Sequence, residues 1–160
     1  MAALRQIIEE ARPSVLQLFG FAEAVENHLE RAIRDSGQDI LGTLVDESAG
    51  AVDRLPAATS VTLLRIVQEA INNAVAHADA GRIEVRLAAT SRQITLAVTD
   101  DGKGRESGPR RVGAGIENMR TRARLVGGRF SLGQGPGGAG TVMRLALAAS
   151  DAEEAAGVAQ

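Results

Sequence analysis

Three polar side chains recur at four-residue intervals along one stretch of the sequence. Glu69, Asn73 and His77 would form one line along a helix, because residues four apart lie on the same helical face. The amide oxygen of Asn73 is a neutral ligand for Mg²⁺, an ion that takes further ligands from water and from substrate phosphates. The line therefore indicates either a magnesium and phosphate site or the solvated face of an amphipathic helix.

A second candidate is the segment Asp100-Asp101-Gly102-Lys103-Gly104. An Asp-Gly pair by itself predicts a tight turn, but this segment directly follows an alternating, strand-like run. An ionised carboxylate only accepts hydrogen bonds, so Asp100 can receive the exocyclic amine of adenine, whereas the oxygen of guanine would be unfavourable. Gly102 and Gly104 carry no side chain that would keep a base away from the backbone.

Two further segments are rich in glycine. Gly113-Ala114-Gly115 precedes a helical pattern that carries Ile116, and a glycine loop before a helix presents free N–H groups and the positive end of the helix dipole to an anion. The alternative is a flexible loop. The stretch from Gly135 to Thr141 predicts a hairpin loop. Neither a P-loop pattern nor the dinucleotide-binding G-x-G-x-x-G pattern is present.

The elements that must position these residues follow from hydrophobic periodicity. Helical patterns cover residues 3–11 and 22–34, the stretch after Pro56 up to Gly81, and residues 115–126; strand patterns cover 40–45, 83–88, 94–99, 129–132 and 141–147. The second and third strands flank a turn at 90–92 and deliver Asp100 at a strand end. Hairpins mixed with helices predict an α+β fold, a two-layer α/β sandwich with a mixed, mostly antiparallel sheet and helices packed on one face.

Charge and composition narrow the class of partner. The 160 residues carry a formal net charge of −2 and contain no cysteine. We therefore expect neither a basic surface for nucleic acid or an anionic membrane, nor a thiolate metal site. No apolar run is long enough to span a bilayer, and no signal-peptide pattern is present. We expect a cytoplasmic domain, compatible with a parent protein that is anchored in a membrane.

The order of the four segments resembles a known superfamily. Glu69-Ala70-Ile71-Asn72-Asn73 with His77-Ala78, Asp100-x-Gly102-x-Gly104, Gly113-x-Gly115-Ile116-x-x-Met119-Arg120 and Gly140-Thr141 resemble the N, G1, G2 and terminal boxes of the GHKL ATPases, which share the Bergerat fold. Residues 64–70 and 119–123 look like those of bacterial sensor histidine kinases that pair with NarL-type response regulators. The resemblance covers roughly residues 3–148.

The resemblance implies a role for each residue. Asn73 would ligate Mg²⁺, Glu69 would lie beside the phosphates of ATP as the second catalytic residue, and Asp100 would receive the adenine amine. The other cofactor-binding residues would be His77, Gly102, Gly104, Gly113, Gly115, Ile116 and Thr141.

Two features depart from the family pattern. Ala76 replaces a lysine that often precedes the histidine of the N box in such kinases. The short lid between Gly104 and Gly113 carries arginines that could replace the phosphate contact or be solvated loop charges, namely Arg105, Arg110 and Arg111.

The implied reaction is transfer of the γ-phosphoryl group of Mg²⁺·ATP to a histidine. Neither His28 nor His77 is followed by the acidic helix pattern of a phosphoacceptor, so we expect the acceptor on a separate dimerisation domain. Residues 1–20 would be the end of a dimerisation helix and its linker, 21–149 the catalytic domain, and 150–160 a disordered tail. An anti-sigma-factor-type serine kinase and a non-catalytic nucleotide-binding module are the alternatives.

Overall fold

The computed structural model describes Leu16 and residues 18–77, 79–104 and 113–149. Its α-helices are α1 (Phe21–Ser36), α2 (Ala57–His77) and α3 (Ala114–Leu125), and its strands are β1 (Leu41–Glu47), β2 (Arg82–Ala89), β3 (Gln93–Asp100), β4 (Arg129–Gln134) and β5 (Thr141–Ala148). Short 3₁₀ helices span Ala51–Arg54 and Pro136–Gly138. The helices and strands predicted from residue 22 onward are confirmed. The helix predicted at 3–11 and the tail predicted at 150–160 lie outside the described residues.

The strands form one sheet in the order β1-β2-β3-β5-β4. β1 runs parallel to β2, and the other three neighbouring pairs are antiparallel, which confirms the mixed, mostly antiparallel sheet. The β2–β3 hairpin turns where the N–H of Thr90 donates to the carbonyl of Gln93 at 2.8 Å. At the opposite end of the hairpin, Asp100 pairs with Ile83 on one side and with Thr141 on the other.

One face of the sheet is covered by helices. Alternate residues of β3 are buried, and Asp100 continues this series after Ile94, Leu96 and Val98. Because successive side chains of a strand point to opposite faces, the Asp100 side chain points toward the helical layer. The apolar stripe of α2 packs against the same face, with buried residues Leu63, Ile66, Val67, Ala70, Ile71, Ala74 and Val75. Asp100 therefore lies on the core side of the sheet, between the sheet and the helices, and not on its exposed face.

Candidate nucleotide-binding site

Asp100 is the one buried ionisable residue within the part of the chain that the structure describes, at 7% exposure. The N–H of Gly102 donates to its Oδ1 at 3.0 Å, and the backbone N–H of Thr141 donates to the same carboxylate. Burial raises the pKa of Asp100 because it disfavours the charged form, while these two N–H donors oppose the rise and the neighbouring charge of Asp101 adds to it. The result is a buried acceptor that its own backbone holds in one orientation.

The loop after β3 packs directly on the turn before β5. Gly104 has φ +71, and a Cβ built on it would lie 3.1 Å from the carbonyl oxygen of Gly140. Gly140 has φ +70, and a Cβ there would overlap the carbonyl oxygen of Asp100. Both contacts depend on glycine. The structure therefore brings the predicted G1 residues together with Gly140 and Thr141.

A second contact joins α2 to the beginning of α3. A Cβ on Gly115 would collide with Oε1 of Glu69 and would lie 3.7 Å from Nδ2 of Asn73. Glu69 and Asn73 are half-buried, so they do not belong to a fully solvated helix face. Gly113 precedes α3 in an extended conformation, with no side chain capping the helix. The N–H groups of Ile116 and Glu117 already donate to the carbonyl of Gly113 at 3.1 and 3.4 Å, so the N–H groups that the start of α3 can offer to an anion next to Glu69 and Asn73 are those before Ile116.

Other predicted residues are less closely integrated. His77, the last residue of α2, is exposed. Ile116 is partly buried against the core, and Gly113 is exposed with open space around its Cα. The lid arginines lie outside the described residues. No group of three His, Asp or Glu residues that could hold a metal ion occurs in residues 18–77, 79–104 and 113–149.

Sequence reasoning missed the role of Asp101. Its Oδ1 accepts the N–H of Gly81 at 2.9 Å and the N–H of Arg82 at 2.8 Å. Two residues further on, Nζ of Lys103 lies 3.3 Å from the carboxylate of Asp79. The available signal was the doubled aspartate at a strand end, since two neighbouring strand residues must point to opposite faces.

His28 joins α1 to α2 through a hydrogen bond, as its Nε2 lies 2.9 Å from Oδ1 of Asn72.

None of the helices that the structure describes is sufficiently long and apolar to cross a membrane. The features described so far define a two-layer α/β domain with an oriented acceptor at one end of its site and an open helix N-terminus at the other.

The chain belongs to the family of histidine kinase-, DNA gyrase B- and HSP90-like ATPases, whose profile matches residues 58–151. An uncharacterized sensor-like histidine kinase of Chloroflexus aurantiacus is 33% identical over 144 residues, which cover 84% of this chain and 23% of that protein. The histidine-protein kinase/phosphatase UhpB of Salmonella typhimurium is 30% identical over 133 residues, covering 81% and 25% respectively. The chain thus spans about a quarter of the length of these relatives.

The fold agrees with that assignment. The histidine kinase domain of the blue-light activated histidine kinase from Erythrobacter litoralis superposes with a TM-score of 0.69 at 20% identity, covering 84% of this chain and 63% of that one. This likeness shows the fold, and the family match with the two relatives confirms the ATP-binding catalytic domain of histidine-kinase type that the order of the motifs predicts.

Proposed function

We propose that this domain positions Mg²⁺·ATP for transfer of its γ-phosphoryl group to a histidine on a dimerisation domain of the same kinase. The main support is the contact of Gly115 with Glu69 and Asn73, because it sets an open helix N-terminus beside two oxygen-bearing side chains. Such a helix end binds phosphate, and carbonyl and carboxylate oxygens are the ligands that Mg²⁺ takes in proteins.

The base would bind at the end of β3. The carboxylate of Asp100 would accept the adenine amine, and Gly102 and Gly104 would line the pocket. The backbone N–H of Thr141 already orients Asp100, which leaves the Thr141 hydroxyl for the base or for a water bound to it. Adenine would be preferred to guanine, because a carboxylate repels the guanine carbonyl oxygen.

The phosphates would bind between α2 and α3. Asn73 would hold Mg²⁺, an ion that neutralises charge on the transferred group when it is bound. Glu69 would lie beside the phosphates, and the segment from Gly113 to Gly115 would present the free N–H groups at the start of α3. Ile116, whose own N–H donates to the carbonyl of Gly113, would line the site. His77 would contribute from the exposed end of α2. Catalysis would then rest mainly on positioning.

In the parent protein, residues 21–149 would form the catalytic domain in the cytoplasm, where ATP is available. Residues 1–20 would connect it to the dimerisation helices, and a response regulator of NarL type would receive the phosphoryl group from the histidine. The similarity to UhpB and the family likeness of residues 64–70 and 119–123 support this class of kinase.

The proposal predicts that the chain alone binds ATP yet does not label itself from ATP carrying radioactive γ-phosphate. Adding a separately expressed dimerisation hairpin of the parent kinase should restore acid-labile labelling of the hairpin, in proportion to its concentration. Asn73→Ala serves as the inactive control. Acid-labile label on this chain itself, persisting at high dilution, would contradict the proposal, and acid-stable label on a protein substrate would indicate a serine kinase.

A further inference from the structure

The carboxylate of Asp101 joins the loop after β3 to the segment between α2 and β2. Besides its hydrogen bonds with the N–H groups of Gly81 and Arg82, its own N–H donates to the carbonyl of Arg82 at 3.2 Å. The carbonyl of Gly81 in turn accepts the N–H of Leu41 at 2.9 Å. One side chain therefore connects β3 to the beginning of β2 and, through Gly81, to the beginning of β1.

A second link lies two residues further on. Nζ of Lys103 is 3.3 Å from Oδ2 of Asp79, and Asp79 lies in the same segment after α2, with φ +49. Both side chains of this ion pair are exposed, so the pair by itself contributes little. The two links nevertheless act in the same direction, because each holds the loop that contains Gly102 and Gly104 against the chain that leaves α2.

The link at Asp101 controls the direction of the neighbouring carboxylate. Asp100 and Asp101 point to opposite faces, since one is buried at 7% exposure and the other is exposed. The chain then turns at Gly102, whose N–H donates to Asp100. If the Asp101 carboxylate lost its partners, the peptide between the two aspartates would be held only by backbone bonds such as that from the N–H of Asp101 to the carbonyl of Arg82, and the Asp100 carboxylate would be less firmly positioned.

We propose that Asp101 is a positioning residue for base recognition. It fixes Asp100 and Gly102 relative to the beginning of β2, and it thereby sets the preference for adenine over guanine without touching the base. This inference rests on the proposed function, because it takes Asp100 as the acceptor of the adenine amine. Hydrogen-bond strength falls steeply with misalignment, so a displaced Asp100 would lose selectivity before the contacts at Glu69 and Asn73 are affected.

The chain offers a matched control at the other end of the sheet. Oδ1 of Asp46 accepts the N–H of Ser48 at 2.9 Å and its hydroxyl at 2.7 Å, so Asp46→Ala also removes two hydrogen bonds to a strand-end carboxylate. Asp46 pairs with Leu87 near the end of β2, whereas Asp101 bonds to the beginning of β2. A general loss of stability would appear in both variants, and a loss of base selectivity only at Asp101.

The test measures the dissociation constants of ADP and GDP by calorimetry, with thermal unfolding as a check of folding. Asp101→Ala should weaken ADP binding by about tenfold, the order expected when hydrogen bonds to a charged group are lost, and should lower the ADP-to-GDP preference accordingly. Asp101→Asn keeps an oxygen that accepts both N–H groups and should stay within about threefold of the unmodified chain. Asp46→Ala should keep the preference unchanged.

Asp101→Glu provides a second variant if the alanine variant does not fold. It keeps the charge but moves the oxygens by one methylene, so it should lose the preference as alanine does. A folded Asp101→Ala or Asp101→Glu variant with the preference of the unmodified chain would overturn the inference. An unmodified chain that binds ADP no better than GDP would contradict the proposed function, and the inference with it.

Discussion

Replacing Gly115 with alanine is expected to impair phosphoryl transfer far more than folding. The new Cβ would collide with Oε1 of Glu69 and would make an ordinary contact, at 3.7 Å, with Nδ2 of Asn73. Because the colliding atom is the end of a flexible side chain, rotation of Glu69 relieves the overlap without moving the backbone of α2. The variant therefore displaces one carboxylate from the proposed phosphate site and leaves the rest of the fold in place.

Gly115→Ala is expected to change the free energy of unfolding only slightly but the rate of phosphoryl transfer strongly. Holding Glu69 off a preferred rotamer costs about 0.5–1.5 kcal/mol, while alanine inside α3 is more favourable than glycine by about 0.8–1 kcal/mol. These contributions offset, so the free energy of unfolding should change by less than about 1 kcal/mol and Tm by less than about 4 °C. A misplacement of about 1 Å in a positioned reaction can cost about 100-fold in rate, so displacing Glu69 should slow transfer by about 100-fold.

Gly113→Ala is the matched control, because the proposed role of Gly113 uses only its backbone, which alanine keeps, while no atom lies within 4 Å of a Cβ at this position and its φ is −62. Both variants would be compared by thermal unfolding, by calorimetric titration with Mg²⁺·ATP, and by the initial rate of phosphorylation of the dimerisation hairpin. Gly113→Ala should retain the parent rate within a few-fold. If folded Gly115→Ala transferred at the rate of Gly113→Ala, the placement of Glu69 beside the phosphates would be wrong.

Three further substitutions test the remaining contacts. Asp100→Asn should weaken ADP binding by about tenfold at pH 7 without loss of stability, because it removes a buried charge; calorimetry with an unchanged dissociation constant would refute the assignment. Since the pKa of Asp100 is raised in the folded state, the folded chain binds more protons than the unfolded one between the ordinary and the raised pKa. The contribution of Asp100 to the free energy of unfolding therefore falls as pH rises through that window. ADP binding weakens as pH falls through the same window, because the carboxylate becomes protonated. Asp100→Asn should remove both pH dependences. Asn73→Ala should abolish the tightening of nucleotide binding by Mg²⁺ while keeping ADP binding in EDTA, and equal Mg²⁺ dependence in the variant would exclude Asn73 as a ligand. Gly140→Ala, at φ +70 and against the carbonyl of Asp100, should lower the free energy of unfolding by at least about 2 kcal/mol in urea titrations, and a loss below about 0.5 kcal/mol would contradict the close contact.

Periodicity predicted the elements of the fold because each element buries one face. The alternation of β2 and β3 and the apolar stripe of α2 record which residues face the core, and the structure confirms them. Periodicity does not record which strands are neighbours. The insertion of β5 between β3 and β4, and the parallel pairing of β1 with β2, arise from tertiary packing and were not predicted.

The candidate site, too, could be predicted from the sequence only where it does not depend on tertiary packing. The residue types at Glu69, Asn73 and Asp100 indicate their chemistry from the sequence alone, but the contact of Gly115 with Glu69 depends on how α3 packs on α2. Asp101 was harder to interpret, because its partners are the backbone N–H groups of Gly81 and Arg82. Every residue except proline offers such a group, so a side chain that binds backbone leaves no pattern of partner residue types.

The two adjacent aspartates show how a period of two residues assigns different tasks to identical side chains. Burial at every second position of β3 ends on Asp100, so this carboxylate lies on the helical side, where burial raises its pKa and where we propose that the base binds. Asp101 must point away and is left to bind the backbone of the neighbouring segment. A shift of β3 by one residue would exchange the two positions and place the apolar residues of the strand in solvent. The core that fixes the register of β3 therefore also selects which aspartate faces the proposed nucleotide site.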